Sequence, residues 1–207
     1  GMETAFHGDV ETTDGTSLTV KGVRTPRLFE IEHLDIRDET SHAAIRFRRE
    51  PNAVGFGFSG DLSQPCLDSL LRENRFLTGW VKGDFWGRIV PGSPIESTVE
   101  GYLEGGDVNL RQLDIPATMR KFSVEAEQQR LLFNSDVLAM DDRQIGVSAD
   151  IDLSDQGILV RTNVDADGID LKRTLAAMEK LLHESEDQGN QPWSVPLKGT
   201  ARIQLKR

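Results

Sequence analysis

Val147-Ser148-Ala149-Asp150-Ile151-Asp152-Leu153-Ser154 runs into Asp155-Gln156-Gly157, and Ile158-Leu159-Val160-Arg161-Thr162-Asn163-Val164-Asp165 follows. In the first run Val147, Ala149, Ile151 and Leu153 take every second place, with Ser148, Asp150, Asp152 and Ser154 between them. In the second, Ile158, Val160, Thr162 and Val164 alternate with Leu159, Arg161, Asn163 and Asp165. Successive side chains of a strand point to opposite faces, so period-two alternation gives each strand one dry and one wet face. The Asp-Gln-Gly break supplies turn residues between two such runs, and the pair predicts an antiparallel hairpin.

The same alternation recurs at Ala43-Ile45-Phe47, Val54-Phe56-Phe58, Val99-Gly101-Leu103, Phe122-Val124-Ala126 and Leu197-Gly199-Ala201-Ile203-Leu205. With Gly, Asp, Asn and Pro breaks between runs, about ten strands are expected, and the chain reads as mostly β. Two stretches depart from period two. Pro65 to Glu73 places Leu67, Leu70 and Leu71 at helical spacing, with proline in the first turn. Leu171, Leu175, Met178 and Leu182 form an amphipathic stripe with Asp170 as its N-cap, and read as helix-packing residues. Polar residues from Glu184 to Gln191 then lead to Pro192 and the last strand.

These elements form a cassette that occurs twice. Alternation runs into Gly60-Asp61-Leu62, a helix follows, and alternation resumes at Gly79-Trp80-Val81-Lys82-Gly83-Asp84-Phe85. The second copy passes through Asp167-Gly168-Ile169-Asp170-Leu171, a longer helix, and Leu197-Lys198-Gly199-Thr200-Ala201-Arg202-Ile203. The expectation is a single β-rich domain over 1–207 with repeat units at 16–90 and 97–207. Its fold would be a long antiparallel sheet, curved or twisted, groove-like or partly closed, with two short amphipathic helices. Two helices are too few to cover so much sheet, so either the sheet folds on itself or part of its apolar face stays open.

Composition narrows the function. The chain has 207 residues, 24 basic against 34 acidic side chains and a net charge of -10. Phosphate backbones are held by clustered cations, so nucleic acid is not an expected partner. The densest basic run, Arg46-Phe47-Arg48-Arg49, puts its charges mostly on alternate positions and reads as a solvated strand face. Cys66 is the single cysteine, which excludes an intrachain disulfide and a cysteine-based zinc site. Neither a run of about 18 apolar residues nor a basic-then-apolar leader is present in the sequence. Gly1 ahead of Met2 reads as a residue left by a tag, which suggests a segment cut from a longer protein.

Motifs with chemistry are few. Asn163-Val164-Asp165-Ala166-Asp167-Gly168 has the opening spacing of a calcium loop, but its twelfth position is Thr174 and a strand precedes it, so it reads as a strand end and turn. His7, His33, His42 and His183 share no metal-ligand spacing. There is no GxSxG elbow and no phosphate-cradling GxxxxGK[ST] loop. The expectation is a protein without catalytic residues, metal or cofactor, not an enzyme. Trp80 and Trp86 fall by parity on the wet face, opposite Val81, Gly83 and Phe85, where indoles either cover a neighbouring strand or stack on a sugar.

The cassette Gly168-Ile169-Asp170-Leu171-Lys172-Arg173-Thr174-Leu175 with Pro196-Leu197-Lys198-Gly199-Thr200-Ala201 resembles the C-terminal repeats of AsmA-like proteins, the TamB-related repeating β-groove family. Asp61-Leu62, Leu70-Leu71 and Leu77-Thr78-Gly79 look like an earlier copy. Val99-Glu100-Gly101-Tyr102-Leu103-Glu104-Gly105-Gly106-Asp107-Val108-Asn109-Leu110 has the family's glycine-leucine cadence. The resemblance covers about 150 residues, from Val54 onward. It implies a periplasmic segment of an envelope protein of Gram-negative bacteria, with an inner-membrane anchor outside this stretch. It also implies an apolar β-groove that binds or conducts phospholipid acyl chains in outer-membrane biogenesis, with other envelope proteins as partners. The residues expected to face lipid are Val99, Leu103, Phe122, Val124, Val147, Ile151, Ile158, Val160 and Val164. Two alternatives stand beside it. One is a closed β-sandwich or adhesin-like module that binds protein or glycan, and the other is a structural envelope spacer.

Overall fold

The structure is a computed structural model that describes residues 3–13, 15–70, 78–110, 117–139, 144–166 and 197–205. Thirteen strands among these residues join one sheet. They are β1 Thr4–Glu11, β2 Ser17–Arg24, β3 Phe29–Arg37, β4 His42–Arg49, β5 Val54–Leu62, β6 Trp80–Ile89, β7 Thr98–Gly106, β8 Val108–Asn109, β9 Ala117–Gln128, β10 Arg130–Ala139, β11 Gln144–Ser154, β12 Gly157–Ala166 and β13 Leu197–Leu205. The order is β1-β2-β3-β4-β5-β6-β7-β9-β10-β11-β12-β13, with β8 paired on β9 beside this path. Almost every neighbour in space is the neighbour in sequence, as expected of a meander built from hairpins.

The sheet is single and open, with β1 and β13 at its two ends. Among the described residues, therefore, the sheet does not form a closed β-sandwich. All pairings are antiparallel except the last: β12 and β13 run parallel, from Ile158 opposite Leu197 to Ala166 opposite Leu205. The two cassettes thus differ in topology. The first helix returns the chain antiparallel, Leu62 opposite Val81. The second connection brings it back in the same direction, which demands a crossover rather than a hairpin.

Among the described residues, helix is confined to two short pieces. One short helix, α1, covers Gln64–Leu70, with Pro65 inside its first turn; the remainder of the stretch expected to reach Glu73 lies outside the described residues. A lone 3-10 turn, Pro94–Glu96, lies between β6 and β7 and has no counterpart in the sequence reading. The stripe of Leu171, Leu175, Met178 and Leu182 lies outside the described residues, so two amphipathic helices are not what the described chain displays.

Register aligns the alternation across strands. Val20, Leu34, Ile45, Phe58, Phe85, Gly101, Ala126, Leu131, Ile151 and Val160 pair successively through ten strands, from β2 to β12. A parallel row runs Gly83, Leu103, Val124, Phe133, Ala149 and Thr162. Paired residues share a face of the pleat, so the dry sides of separate hairpins merge into one apolar surface. Bulges in β2/β3, β3/β4 and β9/β10 shift the register without breaking the rows named here.

Candidate functional site: one apolar sheet face closed at two places

The apolar face is not uniformly covered. Over β3–β5, α1 lies against it: Cys66 is fully buried and clusters with Ile36, Ala43, Phe58 and Leu62, while Leu18, Leu34, Ile45, Leu67, Val81 and Leu103 pack around them. Hydrogen bonds fix the junction. Ser41 Oγ donates to Ser63 Oγ at 2.8 Å, and the Ser63 N–H donates back to Ser41 Oγ at 3.0 Å. The Gly79 N–H donates to Gln64 Oε1, which ties the start of the helix to the start of β6.

Asp38 anchors the turn before β4, where its Oδ1 accepts from the N–H groups of Thr40 at 2.6 Å and Ser41 at 2.7 Å. Burial pushes the Asp38 pKa up. The Thr40 N–H, the Cys66 thiol, the Thr40 hydroxyl and the Ser41 N–H outweigh it, and the carboxyl is held below its usual value. For Cys66 the balance is opposite. Burial and then the neighbouring Asp38 carboxylate drive the thiol up to about 12, so it is a neutral core residue rather than a nucleophile.

The second closure lies at the other end of β6. The 3-10 turn after β6 reaches β11 and β12, three and four strands beyond β7 in the sheet order. Val90, Pro94, Val99 and Leu153 are buried there. Ser97 Oγ, itself buried, accepts from the Val90 N–H at 2.8 Å, and the Leu153 N–H donates to the Gln129 carbonyl at 2.8 Å.

Between the two closures the apolar side chains are only half-buried. Leu103, Phe122, Val124, Val147, Ile151, Ile158, Val160 and Val164 all have this intermediate exposure, as do Ala126, Leu131, Phe133 and Ala149. Of the nine residues expected to face lipid, Val99 alone is buried, at 3 % exposure, under the 3-10 turn end. The other eight share its face. The list of residues expected to face lipid left out Leu131, Phe133, Ala149 and Phe85, although alternation had put Ala149 and Phe85 on the dry side and Leu131 and Phe133 show the same pattern. Phe47 and Phe56 fall in two of the alternating runs, whereas Phe6 and Phe29 had no place in the sequence reading. Phe6 and Phe29 stack with centroids 6.3 Å apart, Phe29 and Phe47 lie 6.1 Å apart, and Phe47 pairs with Phe56, which is 40 % exposed.

The opposite face is polar and self-paired. Asp150 accepts from Arg130 at 3.0 Å and Arg161 at 3.1 Å, and Arg161 also pairs with Asp152. The hydrogen bond from Arg130 lowers the Asp150 pKa most, with Arg161 adding to it against the effect of burial. Asn163 and Asp165 of the calcium-like motif stand exposed in β12 as strand residues, and Asp167 and Gly168 lie outside the described residues. Among the described residues no group of three His, Cys, Asp or Glu side chains is placed to hold a metal. No described helix is long and apolar enough to cross a membrane. Trp80 and Trp86 both lie on this polar face, Trp80 half-buried and Trp86 44 % exposed, beside Tyr102 at 51 %.

No protein-family model matches the sequence, and neither the curated proteins nor the solved structures compared with it give a match.

Proposed function

We propose that this chain is the periplasmic part of an AsmA-like envelope protein that binds or conducts lipid along its apolar sheet face, in outer-membrane biogenesis. One observation carries the reading: the apolar rows of ten strands share one face, and most of that face from β7 to β12 is only half-buried. Acyl chains laid across the strands would replace water along Leu103, Phe122, Val124, Val147, Ile151, Ile158, Val160 and Val164, at about 0.8 kcal/mol for each buried CH₂. Val99 would then belong to the closure at the end of the face rather than to its lining. A phospholipid head group stays in solvent at the strand ends. No proton transfer, metal or cofactor enters this reading. An inner-membrane anchor outside this segment and contacts with other envelope proteins complete it.

The test uses the protein purified from a Gram-negative host without detergent, extracted with organic solvent and analysed by lipid mass spectrometry. Phospholipid in near-stoichiometric amount is expected. Val160→Asp is expected to remove most of it while the variant remains folded, because Val160 is half-buried. Wild-type protein free of lipid, or a Val160→Asp variant that simply unfolds, counts against the groove and for a sealed or purely structural face. A binding module for glycan or protein is the second reading, favoured by the exposure of Trp86 and Tyr102 on the polar face.

A further inference from the structure

On the polar face, β5 contributes no side chain at two successive outward positions, Gly55 and Gly57. Gly57 pairs with Arg46 of β4 on one side and Trp86 of β6 on the other, and Gly55 pairs with Arg48 and Arg88. With neighbouring strands about 4.8 Å apart, the β4 and β6 side chains rise from backbones roughly 10 Å apart over a bare peptide floor. The result is an open trough of about 130 Å³.

Its walls are chemically unequal. Arg48 is clamped by Glu50 at 2.8 Å and Glu30 at 3.3 Å, and Arg88 reaches the other Glu50 oxygen at 3.4 Å. These pairs neutralise one end of the trough. Arg46 is exposed and makes no hydrogen bond or ion pair among the described residues. The Trp86 indole is 44 % exposed and leans toward Gly57, where a Cβ would lie 3.4 Å from its Cδ1. The row across the trough therefore reads guanidinium, gap, indole.

From this we infer a second binding site, on the face opposite the apolar rows, for a sugar ring that carries an acidic group. The ring's C–H face stacks on the Trp86 indole, its acidic group meets Arg46, and its hydroxyls face water and the Glu50 carboxylate. A purely apolar ring fits poorly, since it would strip water from the charged frame without replacing those hydrogen bonds. The acidic group is a carboxylate or a phosphate, either of which a guanidinium recognises.

Isothermal titration with trigalacturonate, glucose 6-phosphate and neutral maltotriose tests the inference. An acidic probe is expected to bind at least about tenfold more tightly than maltotriose, as one charge-assisted contact allows. Saturation by trigalacturonate identifies the carboxylate source and saturation by glucose 6-phosphate the phosphate source. Trp86→Ala is expected to weaken the acidic probe by roughly tenfold or more, with the melting temperature followed as a check on folding. Arg46→Gln, at an exposed position without a partner, is expected to stay folded and to bind acidic and neutral probes alike. Absence of saturable binding to both acidic probes, or an acidic preference that survives Arg46→Gln, overturns the proposal.

Discussion

The half of the sheet under α1 and the half from β7 to β12 are built from the same alternating strands, yet they treat their apolar face differently. Under α1 the face is a conventional core: Ala43 and Cys66 are fully enclosed and Phe58 is 5 % exposed. From β7 to β12 the same rows continue through Leu103, Val124, Leu131, Phe133, Ile151 and Val160, and these side chains stay half-buried. The apolar rows run in register through both halves. Among the described residues a helix lies on the face only over β3–β5. A sheet can therefore be well specified by hairpin pairing, strand after strand, while among the described residues much of its apolar area carries no partner layer.

Truncating one phenylalanine in each half gives the largest expected effect. Phe58→Ala removes a ring from the enclosed cluster and should cost about 3–5 kcal/mol, measured by guanidinium unfolding. Phe133→Ala, on the half-buried rows, should cost about 1–2 kcal/mol, because part of its surface already meets water. Equal losses would mean that the β7–β12 face is sealed after all, and the comparison would fail.

Backbone strain separates packing from pairing. Gly60 in β5 has φ +113 and Gly101 in β7 has φ +100; an added Cβ would run into the His42 carbonyl oxygen at the first and the Asp84 carbonyl oxygen at the second. Glycine is required at both for the same reason. Gly60→Ala and Gly101→Ala should each cost about 1–3 kcal/mol, with no large difference between the halves. A much milder loss at Gly101 would show that the open half also has a looser ladder, and the contrast would then be one of order as well as burial.

How far the sequence carried this structure follows from what alternation encodes. Ile151 opposite Val160 in the β11/β12 hairpin was legible because both strands alternate cleanly around a Gly-containing turn. Parity likewise put Trp80 and Trp86 on the polar face, as the register of β6 has it. Alternation says nothing about strand direction after a long connection, so the parallel return of β13 was invisible. The closure at Val90, Pro94 and Val99 depends on a three-residue turn reaching distant strands, a tertiary contact with no local signature beyond Pro94. This is why Val99 reads as an open-face residue in sequence and is buried in the fold. The Arg46–Gly57–Trp86 trough was missed because its parts lie on three strands and glycine alone marks only a gap.

The smallest effect belongs to Cys66, and it concerns the sealed half alone. Its thiol sits at about 12 in the folded protein against an ordinary value of 9.0, because burial and the Asp38 carboxylate disfavour the thiolate. The unfolded chain gives up this proton first. The resulting stabilisation is fully present below pH 9 and drains away as pH rises toward the folded value. At about 1.4 kcal/mol per pH unit, the loss should reach roughly 1 kcal/mol by pH 10. Lys21, held protonated by Glu32, adds its own alkaline loss, so the measurement is a difference: wild type against Cys66→Ala, melted from pH 8 to 10. The variant should start lower and fall less steeply, whereas curves of equal slope would place water beside Cys66 and open the half that α1 is held to close.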